Sequence, residues 1–221
     1  MTFPNTIGRR HLLKGAAALA GISLAGCSTT QRLGGAPSVL EAKKMYAALP
    51  NETFSIPAVD LKRVPSKYFR QRVDYKSKER PGTVIVDTRE FYLYLVEKDQ
   101  TAMRYGVGLG RAGFEWSGRA RIAWKQAWPK WTPPDEMIAR QPRLEKYSVR
   151  NGGMPPGLNN PLGSRALYIF KNGVDTLYRI HGTPEYWTIG KAVSSGCVRM
   201  INQDVIDLYD RVKSRPSIVV V

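Results

Sequence analysis

From Thr83 onward, apolar positions come in short runs of strand length. Val84-Ile85-Val86 and Phe91-Tyr92-Leu93-Tyr94-Leu95-Val96 are rich in β-branched and aromatic residues, with a polar break from Asp87 to Glu90, and predict two strands. Lys98-Asp99-Gln100 reads as a turn. Ala102 to Leu109 predicts a third strand ending in glycines, and Ala120 to Trp124 a fourth. Leu167 to Phe170 and Thr176 to Ile180 flank Lys171-Asn172-Gly173, and the Asn-Gly pair predicts a hairpin, with His181 directly after its second strand. Val205, Ile206, Leu208, Tyr209 and Val212 then mark one apolar helix face, with Asn202 as the expected N-cap and Pro216 as the stop. Ser217 to Val221 reads as a last strand. Many short strands and one helix before the final strand predict a mainly β fold, a sandwich with few helices.

Two stretches interrupt this texture. Residues 124–150 are polar and proline-broken and carry Trp128 and Trp131, read as packed side chains before a substrate platform. Residues 152–163, GGMPPGLNNPLG, form a long loop of backbone-permissive and backbone-fixing residues. Upstream, residues 28–82 read as a tether and irregular extension. It has one short helix over Val39–Leu49, prolines at 50, 57 and 65, and a linker over Lys76–Gly82. The expected organisation is a signal over 1–27, this extension over 28–82 and one domain over 83–221.

A length of 221 residues suits one domain with a real core, and 43% hydrophobic content argues against global disorder. Arg9-Arg10 followed by Leu12, Leu13 and Lys14, then the mild apolar run from Gly15 to Gly26, reads as an export signal too short to span a membrane. The paired arginines resemble a twin-arginine signal, although Gly8 stands where that motif has Ser or Thr. Leu24-Ala25-Gly26-Cys27 resembles a lipobox that would be lipidated at Cys27; plain cleavage is the alternative. Either way the protein is expected outside the cytoplasm, in the periplasm or envelope.

The net charge is +16, and the presumed signal holds only three of the basic residues, Arg9, Arg10 and Lys14. Outside the cytoplasm the polyanions on offer are wall peptides with free carboxylates, wall polymers and lipid head groups, so nucleic acid is not an expected partner. A basic surface that merely aids solubility accounts for the charge equally well.

The chain has two histidines and two cysteines, and His11 and Cys27 fall in the presumed signal. That leaves His181 and Cys197 within one twenty-residue window, HGTPEYWTIGKAVSSGCVRM. A thiol is mostly protonated at neutral pH, and an adjacent imidazole can take its proton to give an ion pair that attacks carbonyl carbon. Gly182 and Gly196 permit close backbone approach. The N–H groups of Gly196 and Cys197 can converge on a tetrahedral oxyanion, worth roughly 3 kcal/mol per donor. If residues 197–199 are extended, Arg199 shares a face with Cys197, where it either favours the thiolate or holds a substrate carboxylate. A lone histidine or cysteine is more often structural, but the polar, glycine-kinked approach Ser194-Ser195-Gly196-Cys197-Val198-Arg199 is unusual for a buried inert thiol. The remaining His and Cys are too few for a zinc site, and no cofactor is expected.

These residues are recognisable together. Ile180-His181-Gly182-Thr183 with Ser194-Ser195-Gly196-Cys197-Val198-Arg199-Met200 closely resembles the signature of the L,D-transpeptidase catalytic domain, the YkuD or ErfK/YbiS type. Asn159-Asn160-Pro161-Leu162-Gly163 with Ala166-Leu167-Tyr168, and Val84-Ile85-Val86-Asp87 with Leu93-Tyr94-Leu95, also resemble that family. The resemblance spans Thr83 to Val212. It implies a mixed β-sandwich with Cys197 as nucleophile, His181 as general base and a backbone carbonyl, that of Gly182, orienting the imidazole. Gly196 and Cys197 would supply the oxyanion hole, and Arg199, Ser195, Asn159 and Tyr168 would contact substrate.

The implied reaction cleaves the bond between the third residue and the terminal D-alanine of a peptidoglycan stem. The acyl group then passes to an amine of another stem or of a wall-attached protein, or to water in an L,D-carboxypeptidase. Ser195 stands where some members place a second histidine, leaving His181 as the sole candidate base. A wall-binding lipoprotein without catalysis is the reading from a different class.

Overall fold

In the strand Tyr92–Val96, Leu93 and Leu95 are buried while Tyr92 and Tyr94 face the other way, the alternation expected of a half-covered sheet. The computed structural model describes residues 35–110, 117–194 and 196–221, with the side chain of residue 194 left out. Among the described residues the strands are β1 (Gln71–Asp74), β2 (Val84–Asp87), β3 (Tyr92–Val96), β4 (Thr101–Gly106), β5 (Leu109–Gly110), β6 (Gly118–Ala127), β7 (Arg165–Lys171), β8 (Val174–Thr183), β9 (Ala192–Ser194), β10 (Val198–Ile201) and β11 (Ser217–Val220). The helices are α1 (Val39–Met45), α2 (Asp135–Arg140) and α3 (Asn202–Arg211). None is long and apolar enough to cross a membrane.

Nine strands form one mixed sheet in the order β1-β4-β3-β2-β11-β6-β7-β8-β10, and β5 pairs with β9 in a two-stranded sheet. The pairs β2–β11 and β8–β10 are parallel. Both halves of the large sheet fill one core, with Val86, Leu93 and Tyr105 meeting Ile122, Ile169, Ile180 and Met200, joined by Val205 and Leu208 of α3. Just past β4, Gly108 forms an antiparallel bridge to Arg199 in the edge strand β10. Its N–H reaches the Arg199 carbonyl at 2.9 Å, and the Arg199 N–H returns at 2.8 Å. The sheet therefore folds back on itself around a shared interior, which is the mixed β-sandwich the sequence predicted.

Some local expectations change. The expected third strand breaks into β4 and β5 because Gly108 turns to meet β10. His181 lies inside β8 rather than after it, since β10 extends the ladder over Ile180–Thr183. Asn202 is the first residue of α3, and Ile201 holds the cap position. The Asn202 carboxamide is instead drawn to the Ser164 N–H, 3.0 Å away. The helix stops at Arg211, well short of Pro216. Asn172 and Gly173 both have positive φ, 52° and 82°, as a two-residue hairpin turn requires.

The segment expected to be a tether is folded from residue 35. Its α1 ends at Met45, earlier than Leu49, under a Ser38–Glu41 capping box. Ala42, Tyr46, Val64, Tyr68 and Phe69 form a second apolar cluster with Ile189 and Ile201, and β1 adds an edge strand against β4. Proline and glycine punctuation hid this packing, because the cluster is assembled from residues without a period. The expected signal, Cys27 included, lies outside the described residues.

Candidate active site

Parallel pairing of β8 with β10 sets Arg199 opposite His181 and Val198 opposite Ile180. Ile180, Val198 and Met200 are fully buried in the core, so Arg179, His181, Arg199 and the preceding Cys197 belong to the other face. Cys197 and His181 are thereby diagonal neighbours across two strands, about 7 Å apart in backbone terms.

A bulge aims this block. Tyr168 pairs with Arg179 and Phe170 with Asp175, so residues 176–178 of β8 stand against a single residue of β7. Leu177 takes a φ of +61° there, held by its N–H on Asp175 Oδ1 at 2.9 Å and by Thr176 Oγ1 donating to the Ile169 carbonyl at 2.6 Å. The distortion turns the Leu177 carbonyl toward Cys197, whose Sγ lies 4.0 Å away. Bulges and left-handed residues of this kind gather where a side chain must be re-aimed.

Gly196, next to the thiol, has a φ of +131°, and a Cβ there would lie 2.8 Å from the Tyr178 ring. Gly182 also has no room for a side chain, because Asn202 Oδ1 occupies the space. Its carbonyl meets His181 Nδ1 at 2.6 Å. A carbonyl only accepts, so the proton sits on Nδ1 and the Nε2 lone pair is the available base.

Burial pushes the His181 imidazole down to about 4, and the charges of Arg199 and Arg179 act in the same direction against the Gly182 carbonyl. Burial also raises the Cys197 thiol, opposed by the Arg179 backbone N–H and by the Arg179 and Arg199 charges. Both shifts favour a neutral thiol beside a neutral imidazole.

The two arginines are themselves fixed. Arg179 forms a bidentate pair with Asp175, both contacts at 2.7 Å, and its guanidinium lies 4.4 Å over the Tyr168 ring. Arg199 pairs with Glu185 Oε2 at 3.1 Å. Of the other predicted site residues, Tyr168 is buried between Arg179 and Trp124 and supports the guanidinium. Asn159 is exposed on the 152–163 loop. Its neighbour Asn160 is buried and ties that loop down, donating to the carbonyls of Pro129, Met154 and Pro155. Ser195 lies outside the described residues. Sequence reasoning missed Arg179, Asp175 and Glu185. The Arg179-x-His181 spacing carried the signal for the first, since alternate residues of a strand share a face.

Residues 81–221 match the family described as YkuD, the L,D-transpeptidase catalytic domain. ErfK/SrfK of Escherichia coli K12, named a probable L,D-transpeptidase, is 33% identical over 132 residues, covering 58% of this chain and 40% of that protein. YbiS of the same strain, also named a probable L,D-transpeptidase, is 33% identical over 138 residues, covering 58% and 41%. The chain thus spans about two-fifths of the length of these relatives. Among solved structures, a Brucella melitensis protein named a probable carnitine operon oxidoreductase is 46% identical, with a TM-score of 0.50 over 70% of this chain and 94% of that one.

Proposed function

The chain belongs to the L,D-transpeptidase catalytic-domain family, and from that premise we propose that it is an exported cysteine acyltransferase acting on peptidoglycan stems. The observation that carries the reading is the block of Arg179, His181, Cys197 and Arg199 set side by side by the β8–β10 register. His181 Nε2 takes the thiol proton as Cys197 Sγ attacks the carbonyl carbon between the third stem residue and the terminal D-alanine. The N–H groups of Gly196 and Cys197 receive the oxyanion. The imidazolium then protonates the departing D-alanine amine, leaving a thioester on Cys197. An acceptor amine gives its proton to Nε2 and attacks the thioester, which releases the thiol and forms the new amide.

Arg199 beside the thiol and Arg179 one strand across hold positive charge where the thiolate and oxyanion develop. The name of the Brucella relative is that protein's own, and the family match over residues 81–221 supports acyl transfer here. The acceptor is a second stem's amine in this reading, and the basic chain keeps the enzyme on its anionic wall. Anchoring through Cys27 would add a lipid tether.

A carbapenem tests the nucleophile directly. Wild type gains the mass of one drug molecule on the intact protein, and Cys197→Ala gains none. An adduct persisting in Cys197→Ala would remove the thiol from its role. Muropeptide analysis after incubation with purified wall should reveal stems joined through their third residues.

A further inference from the structure

On the outer face of the sheet, a row of side chains runs away from the nucleophile. Cys197 neighbours Arg179, Arg179 lies over Tyr168 at 4.4 Å, and Tyr168 stacks on Trp124 with ring centroids 3.6 Å apart and planes 8° from parallel. Trp124 is the end of the row. One of its faces is taken by Tyr168, and the residue remains 46% exposed. It opens onto a concavity of about 900 Å³ lined also by Arg119, Arg121, Phe170, Asn172 and Arg215. Arg119 is paired with Glu79 at 2.5 Å. Arg121 donates to the Arg215 backbone carbonyl at 3.3 Å, and among the described residues neither Arg121 nor Arg215 has a carboxylate partner.

We infer that this concavity binds the glycan end of the donor stem, with a sugar ring on the open face of Trp124 and the glycan continuing past Arg121 and Arg215. The inference rests on the peptidoglycan reading above and names a subsite for it. Reach supports it. Trp124 is on β6, three strand spacings from Cys197 beside β10, or about 14 Å. Three extended stem residues span roughly 10 Å, which leaves the attached sugar at the tryptophan when the scissile bond is at the sulfur.

Chemistry supports it as well. An indole presents an apolar face to the apolar face of a sugar, and the guanidinium N–H groups of Arg121 and Arg215 donate to the hydroxyl and amide oxygens of the glycan. The Trp124–Tyr168–Arg179 stack holds the platform in place before substrate arrives, which lowers the ordering cost of binding.

The test compares turnover of a disaccharide-linked stem tetrapeptide with turnover of the free tetrapeptide by the full chain, each normalised to the fraction of molecules that a carbapenem titrates. Wild type should favour the sugar-bearing substrate by about tenfold in kcat/KM, equivalent to about 1.4 kcal/mol. Trp124→Ala should erase that ratio and Trp124→Phe should recover part of it. Arg121→Gln should raise KM for the sugar-bearing substrate alone. A ratio near one in wild type, or one left intact by Trp124→Ala, would overturn the subsite while leaving the enzyme an L,D-transpeptidase. Carbapenem acylation without turnover of either stem would instead sink the peptidoglycan reading, and the subsite with it.

Discussion

Above pH about 4 the buried imidazole of His181 is neutral, with its Nδ1 proton committed to Gly182 and its Nε2 lone pair ready for a proton. The acid limb of acylation should therefore fall near 4, well below the ordinary histidine range near 6.5. Intact-mass acylation rates measured from pH 4 to 8 should stay level down to about pH 5 and drop below that. A limb at 6.5 would mean that the ring is hydrated. The same shift has a stability sign. A folded-state value depressed below the unfolded one contributes stability above about 6.5, lost as pH falls through about 4. At this scale the chain was readable where chemistry demands rare residues. His181, Cys197 and Arg199 stand out by type and neighbours, whereas Arg179 is one arginine among many until a strand register sets it beside the thiol. Asn202 reads as a cap because an asparagine before a helix usually is one, but here a buried backbone N–H from another loop won its carboxamide.

At the scale of elements, the segment before β2 behaves as a buttress. Its apolar cluster takes in Ile189 of the loop leading to Cys197 and Ile201 of β10, and the Tyr68 ring covers Gly190 in that loop. Arg63 lies 3.9 Å over the Trp187 ring. A polar clasp sits beside these contacts, where Tyr46 Oη donates to Asp204 Oδ2 at 3.1 Å. Gln203 Nε2 donates to the carbonyls of Ala47 and Pro57 at 3.2 and 3.1 Å.

Asp204 is fully buried, with Oδ1 lacking a hydrogen bond, and burial raises its carboxyl to about 7 against the pull of Arg70 and Tyr46. A raised carboxyl contributes stability that is complete below its unfolded value near 4 and lost as pH rises through about 7. The melting temperature of wild type should thus fall between pH 6 and 8. Asp204→Asn, which still accepts from Tyr46, should flatten that slope and match or exceed wild type at pH 8. A loss of several degrees in the variant at pH 8 would show instead that a charged pair with Arg70 fastens the segment. None of this was visible beforehand, because the strands announce themselves by alternation while the buttress is built from isolated residues far apart in the chain.

For the molecule as a whole, the net charge of +16, or +13 without Arg9, Arg10 and Lys14 of the expected signal, makes the proposed retention on an anionic wall electrostatic and screened by salt. Co-sedimentation with purified sacculi should weaken several-fold as sodium chloride rises from about 50 to 500 mM, where screening contracts to a few ångströms. Carbapenem acylation, confined to the site, should change by less than about twofold. Retention insensitive to salt would assign wall affinity to contacts other than charge. The sandwich itself was legible from strand texture and the single late helix. The closure of the sheet on itself was not, because it rests on backbone bonds from residues 107–109 to Gly190, Lys191 and Arg199 that strand texture does not announce.

The middle of that sheet is filled by β11, which pairs with β2 on one side and β6 on the other, so the keystone is laid after all the stones it holds apart. Without residues 217–220 the inner edges of β2 and β6 would each present a bare rim able to recruit a stranger's strand. Removing residues 217–220 should therefore raise aggregation of the purified protein, read by light scattering, well beyond what the loss of four residues' burial alone would cause.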